Sequence, residues 1–134
     1  MKAADAMVRP LVTVGPRDFA RHAGGLMDDF GLTMLPVVDQ RGFRGVVTRV
    51  DVMRGKEGVQ SPFVRQVMSQ PVLVAARDTP VETVFDAMTR YEVLCAPVLD
   101  DGQVVGMVTR LSILQAITRN NHLHVEAGRA AVHS

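Results

Sequence analysis

Short apolar runs alternate with amphipathic stretches along this chain, in an order that occurs twice. Leu11-Val12-Thr13-Val14 and Val72-Leu73-Val74 are β-branched runs that each follow a proline, and they read as strands. After the second run, Val81, Val84, Phe85 and Met88 recur at helical spacing. Asp78-Thr79-Pro80 opens that helix, with Thr79 as N-cap, Pro80 at the first helical position and Glu82 completing a capping box. In the first half Asp18 takes the cap position and Phe19, Leu26, Met27 and Phe30 form the stripe, but Gly24-Gly25 interrupts it. Each glycine costs about 1 kcal/mol relative to alanine in a helix, which predicts a looser or kinked element there. Two pairs of strands follow. Positions 34–38 and 43–48 flank Asp39-Gln40-Arg41-Gly42, and positions 95–99 and 103–108 flank Asp100-Asp101-Gly102, the pattern of hairpins. A last helix opens near Arg49 and again near Arg110. Each half thus reads strand, helix, strand, strand, helix.

The two halves are a sequence repeat with a period of 61 residues. Leu35-Pro36-Val37-Val38-Asp39 returns as Ala96-Pro97-Val98-Leu99-Asp100, and Gly45-Val46-Val47-Thr48-Arg49 returns as Gly106-Met107-Val108-Thr109-Arg110. Met7 and Pro10 match Met68 and Pro71, and Met27 matches Met88. Aligning residues 5–54 with 66–115 without a gap gives ten identities, where ordinary residue frequencies give about three or four. The boundaries read as 1–58 for the first repeat, 59–120 for the second and 121–134 for a C-terminal tail, with the segment 55–62 as linker. A unit of about 60 residues is marginal alone, so the two are expected to pack their sheets face to face about a pseudo-twofold axis. The fold class is α/β (α+β), two β-α-β-β-α units forming one body with two related clefts.

Composition narrows the function. The chain has 134 residues, 47% hydrophobic and 22% charged, with 15 basic against 14 acidic side chains. That balance excludes disorder driven by charge. It also argues against nucleic-acid binding through bulk positive potential. No stretch approaches the roughly 18 apolar residues of a membrane span, so no membrane association is expected, and positions 1–10 carry no secretory pattern. Cys95 is the only cysteine and Trp is absent, which implies an aliphatic core and a reducing, cytoplasmic setting. Cys95 sits among apolar neighbours and reads as a buried, inert thiol. His122-Leu123-His124 and His133 fall in the tail, where solvated side chains are the simpler reading. No cysteine, histidine and carboxylate set has metal-ligand spacing, and no nucleophile–base pair or phosphate loop is visible, so no metal, no cofactor and no catalysis are expected.

Each repeat resembles the cystathionine-β-synthase (CBS) domain, and the tandem resembles a Bateman module. The residues that carry the resemblance are Met7-x-x-Pro10, Leu35-Pro36-Val37-Val38-Asp39 and Gly45-Val46-Val47-Thr48-Arg49-Val50-Asp51. The second copy has Met68-x-x-Pro71, Ala96-Pro97-Val98-Leu99-Asp100 and Gly106-Met107-Val108-Thr109-Arg110-Leu111-Ser112. The resemblance covers about residues 3–118 and implies a small α/β sandwich. It implies regulatory sensing of an adenosine-containing ligand (AMP, ADP, ATP or S-adenosylmethionine), a regulated partner protein, and a homodimer, with the helices around 19–30 and 81–91 as the interface.

The residues at Gly-x-x-Thr-x-x-Asp suit a ribose. Asp51 lies three residues after Thr48, at a helix start, where the two share one face. A carboxylate there accepts two hydrogen bonds from a cis-diol. Thr48 adds a hydroxyl and Arg49 a cation beside the helix start, where an anion is favoured. The same residue types are also ordinary helix-start residues, and the resemblance is what assigns Asp51 and Thr48 a ligand role. Val12, Met34, Leu35 and Val46 are placed to line an adenine slot. The second site would use Thr109, Arg110, Leu73 and Ala96, but Ser112 replaces the aspartate and lacks its charge and bidentate reach. The pair of sites is therefore expected to be unequal, with the stronger one in the first repeat. The competing reading is a structural or dimerisation module whose clefts hold no ligand.

Overall fold

The computed structural model describes residues 1–58 and 62–133, with side chains described for 1–55 and 62–121. The chain opens with a 3-10 turn at Ala3–Ala6 and continues through helix α1 (Ala20–Phe30), strands β1 (Met34–Asp39) and β2 (Gly42–Thr48) and helix α2 (Arg49–Gly58). The second half repeats the order with α3 (Val64–Val67), β3 (Ala75–Ala76), α4 (Val81–Tyr91), β4 (Cys95–Asp100), β5 (Gln103–Thr109) and α5 (Arg110–His133). The hairpins and the starts of α2 and α5 lie where the sequence predicts. In the second hairpin Asp101 and Gly102 both have positive φ, 51° and 75°, the backbone a two-residue turn requires.

Four elements differ from expectation. The strand expected at 72–74 forms instead at Ala75–Ala76, paired parallel with Val98 and Leu99. The strand expected at 11–14 shrinks to one parallel bridge between Val14 and Val37. These are the same contact 61 residues apart, so the pairing sits at the far end of each apolar run. Helix α1 is not broken at Gly24-Gly25 but continuous. Its Gly24 faces Val52, which a Cβ there would touch at 3.4 Å, so α1 packs against α2 at this position. Finally, α5 continues through the segment read as a tail, to His133; the side chains of His122, His124 and His133 lie outside the described residues. Linker positions 59–61 lie outside them as well.

The helix caps also shift by one residue. Pro80, not Thr79, is the N-cap of α4, and the Thr79 hydroxyl accepts from the Ala76 amide at 3.0 Å, closing the turn before the helix. Asp18 does the same before α1, accepting from the Gly15 amide at 2.7 Å. Buried Ala20, Ala23 and Met27 form the inward face of α1 while Phe19 and Phe30 are exposed; in α4 Val81, Val84 and Met88 are buried.

The repeats exchange their openings. The first core contains Val14, Met27, Leu35, Val37 and Val47 together with Val64 from α3. The second contains Val81, Met88, Val98, Val108 and Ile113 together with Ala3 and Ala6 from the 3-10 turn. Backbone bonds fix both exchanges at equivalent positions. Val64 N donates to Asp18 O at 2.7 Å and Arg65 N to Pro16 O at 2.9 Å; Ala3 N donates to Thr79 O at 2.8 Å and Ala4 N to Arg77 O at 2.9 Å. Each sequence repeat thus completes the hydrophobic core of the other.

Candidate functional site

The starts of α2 and α5 are built alike. Asp51 N donates to Thr48 Oγ1 at 3.1 Å, and Thr48 N donates to Asp51 Oδ2 at 3.0 Å. In the second repeat Ser112 N donates to Thr109 Oγ1 and Thr109 N to Ser112 Oγ, both at 2.8 Å. Each pair is a reciprocal cap that satisfies amides a helix start leaves unpaired. Serine can therefore take over the capping part of the aspartate's work.

The two starts differ in what else they hold. Asp51 is 8% exposed, and its Oδ2 also accepts from Ser69 Oγ at 3.0 Å. Ser69 arrives from the other repeat and pairs with Val46 through two backbone bonds of 2.9 Å. Gly45 makes room, since a Cβ there would lie 2.8 Å from the Ser69 carbonyl oxygen. The residue equivalent to Ser69 is Val8, whose amide donates to Met107 O at 2.7 Å. Sequence reasoning missed Ser69, although it lies next to the Met68-x-x-Pro71 motif and aligns with an apolar residue in the other copy.

Arg49 is drawn away from the start of α2. Its Nη1 reaches Asp28 Oδ1 at 2.5 Å, Nη2 the Met27 carbonyl at 3.1 Å and Nε the Leu32 carbonyl at 3.0 Å. A cation on the C-terminal carbonyls of α1 is favoured by the helix dipole. Arg110 instead donates to Thr89 Oγ1 at 3.1 Å and lies 4.7 Å from the centre of the Phe85 ring.

A cavity of about 400 Å³ opens at the second motif. Its apolar wall comes from Val8, Phe30 and Leu32 of the first repeat and Leu94, Cys95 and Leu111 of the second. Thr33, Thr109, Ser112, Arg110 and Gln115 supply its polar groups. Thr33 and Leu94 are equivalent positions, and both reach this cavity, which spans the junction of the repeats. Thr33 Oγ1 lies 3.1 Å from Cys95 Sγ, a hydrogen bond. Burial pushes the Cys95 thiol above its ordinary value, and the hydroxyl and backbone of Thr33 offset only part of that.

The remaining sequence candidates are placed as follows. Leu35, Val46 and Ala96 have at most 1% of their surface exposed, so as placed they back the clefts rather than face a ligand. Val12 and Leu73 are half-buried at the margins of the two cores, and Met34 is half-buried at the start of β1. Among the described residues no group of three or more His, Cys, Asp or Glu side chains could hold a metal ion. Nor is any described helix long and apolar enough to cross a membrane.

A sequence model of the CBS domain matches residues 3–58 and 64–119. The chain is 32% identical over 133 residues to an inosine-5′-monophosphate dehydrogenase of Korarchaeum cryptofilum, covering 98% of this chain and 27% of that enzyme. It spans about a quarter of the length of that enzyme and of the next curated relatives it matches. In structure it is similar to the CBS domain pair of protein MJ0100, solved with 5′-methylthioadenosine and S-adenosyl-L-methionine. The TM-score is 0.75 at 26% identity, covering 87% of this chain and 99% of that one. It is also similar in fold to CBSX2, solved with AMP, with a TM-score of 0.78 at 23% identity, covering 90% of this chain and 98% of that one.

Proposed function

The chain belongs to the CBS domain family as a tandem pair, and from that premise we propose that it is a regulatory module that binds an adenosine-containing ligand between its repeats. The observation that carries this is the cavity of about 400 Å³ at the repeat junction. Apolar walls with a few convergent hydroxyls and one guanidinium suit a flat base with a polar tail. In the first cleft, Asp51 and Thr48 are the ribose-facing pair, because both bonds described on the carboxylate fall on Oδ2. Val12 and Met34 flank them. Binding between repeats favours one relative orientation of the two, and a partner protein reads that orientation. The module itself is a binder, not a catalyst.

The test is a thermal-shift and calorimetric screen with AMP, ADP, ATP and S-adenosylmethionine. A ligand at a hundred times its Kd stabilises the folded state by about 2.7 kcal/mol, so at least one of the four raises the melting temperature by several degrees. If all four leave it unchanged, the clefts are structural and the module works by assembly alone.

The partner assignment includes a second copy. Three pairs of equivalent positions expose apolar side chains: Phe30 and Tyr91, Val50 and Leu111, Met53 and Leu114. A surface repeated by the internal pseudo-twofold suits an isologous contact. Sedimentation at micromolar concentration should show a species of twice the 14.6 kDa chain mass, and a purely monomeric boundary rules the dimer out.

A further inference from the structure

The two clefts share a frame and differ in charge. Arg49 is neutralised by Asp28, whereas Arg110 at the equivalent position meets Thr89. Among the described residues no ion pair forms on Arg110. Asp51 is likewise replaced by Ser112, and its donor Ser69 by Val8. Both carboxylates of the first frame are therefore hydroxyls in the second. At the positions equivalent to the second cleft's lining, the first also carries Glu92 and Arg54, whose charges offset each other, where the second has Gly31 and Gln115. Counting Asp28 and Thr89 with these, the first set has two cations against three carboxylates. The second has Arg110 alone.

Resting on the adenosine-ligand reading above, we propose that the second cleft is selective for an anionic nucleoside, a nucleoside 5′-phosphate, with Arg110 on the phosphate and Thr89 as the specificity-determining position behind it. Arg110 lines the cavity while its guanidinium keeps donors beyond the one given to Thr89. The ring of Phe85 holds it in place by a cation–π contact. An aspartate at position 89 would repeat the Asp28–Arg49 pair and cancel the charge the ligand needs.

Calorimetry with AMP and with adenosine on the full chain at low salt tests this. Wild type should bind AMP roughly ten- to a hundredfold more tightly than adenosine, the range for hydrogen bonds to charged groups. Added salt should weaken AMP and leave adenosine unchanged. Arg110→Gln should bring AMP close to adenosine, and Arg110→Lys should keep most of the preference. Thr89→Asp should reduce the preference although residue 89 is not part of the cavity wall. If neither compound binds, the adenosine reading itself fails and this assignment with it. If both bind with a ratio that Arg110→Gln and Thr89→Asp do not move, the charge assignment alone is wrong.

Discussion

Asp51 joins two kinds of work on one side chain. Its carboxylate caps α2 and ties the start of that helix to Ser69 of the other repeat. Asp51→Ala should cost about 0.5–2 kcal/mol, the range for losing an N-cap side chain, seen as a lower urea midpoint. Asp51→Ser should cost much less, because Ser112 already makes the same cap in this fold. The serine variant is then the clean probe of ligand contact. If Asp51 holds a ribose diol, the serine variant loses discrimination between ribo- and 2′-deoxyribonucleosides in the first cleft while its urea midpoint stays above that of Asp51→Ala. The spacing Thr-x-x-Asp made the cap legible from sequence. Ser69 was not legible, because it lies 18 residues on and reaches Asp51 only through backbone pairing with Val46. Cys95 gives a pH prediction with a definite sign. Its thiol is pushed up by burial, so the folded state holds the proton more tightly than the unfolded state does. Stability from this group is intact below the unfolded thiol pKa of about 8.5 and falls as pH rises from there toward the folded value. Urea midpoints at pH 7 and pH 10 should therefore separate more in wild type than in Cys95→Ala, and equal separations would exclude the buried thiol as a cause.

The hairpins and the helix starts were readable because turn and capping residues act over a few positions. The opening strands were placed wrongly because β3 has only two residues and its position depends on the partner strand, not on the apolar run before it. Helix α1 shows the same limit. Local propensity argues against Gly24-Gly25, but Gly24 meets Val52 of α2, a contact distant in sequence. Two other glycines allow the repeats to interlock, and they should respond differently to alanine. At Gly45 a Cβ would stand 2.8 Å from a backbone oxygen, that of Ser69. At Gly106 it would run into the Met7 side chain, which is flexible and can turn aside. Gly45→Ala should therefore fall in the overpacking range of about 1–3 kcal/mol. Gly106→Ala should cost less, and chemical denaturation of the two variants would reveal a reversed order.

The sequence repeat and the folding unit do not coincide. A period of 61 residues divides the chain into two halves, yet Ala3 and Ala6 are buried in the second core and Val64 in the first. The legible part was that neither half has core enough to stand alone. The exchange itself was hidden, since Val64 and Ala3 align with each other and nothing local says which core each enters. This arrangement makes the pair one cooperative body. Cutting it at residue 58 leaves the first fragment without Val64 and the second without Ala3, Ala6 and the bonds to Arg77 and Thr79. Each fragment then exposes core and carries unpaired backbone groups, while one chain supplies what the other lacks. Circular dichroism of isolated fragments 1–58 and 59–134 should accordingly show little cooperative melting. Mixing them in equal amounts should restore a single transition whose midpoint rises with concentration, as a bimolecular fold requires. A fragment that melts cooperatively by itself, with a midpoint indifferent to the other, would mean that the exchanged segments decorate two autonomous domains.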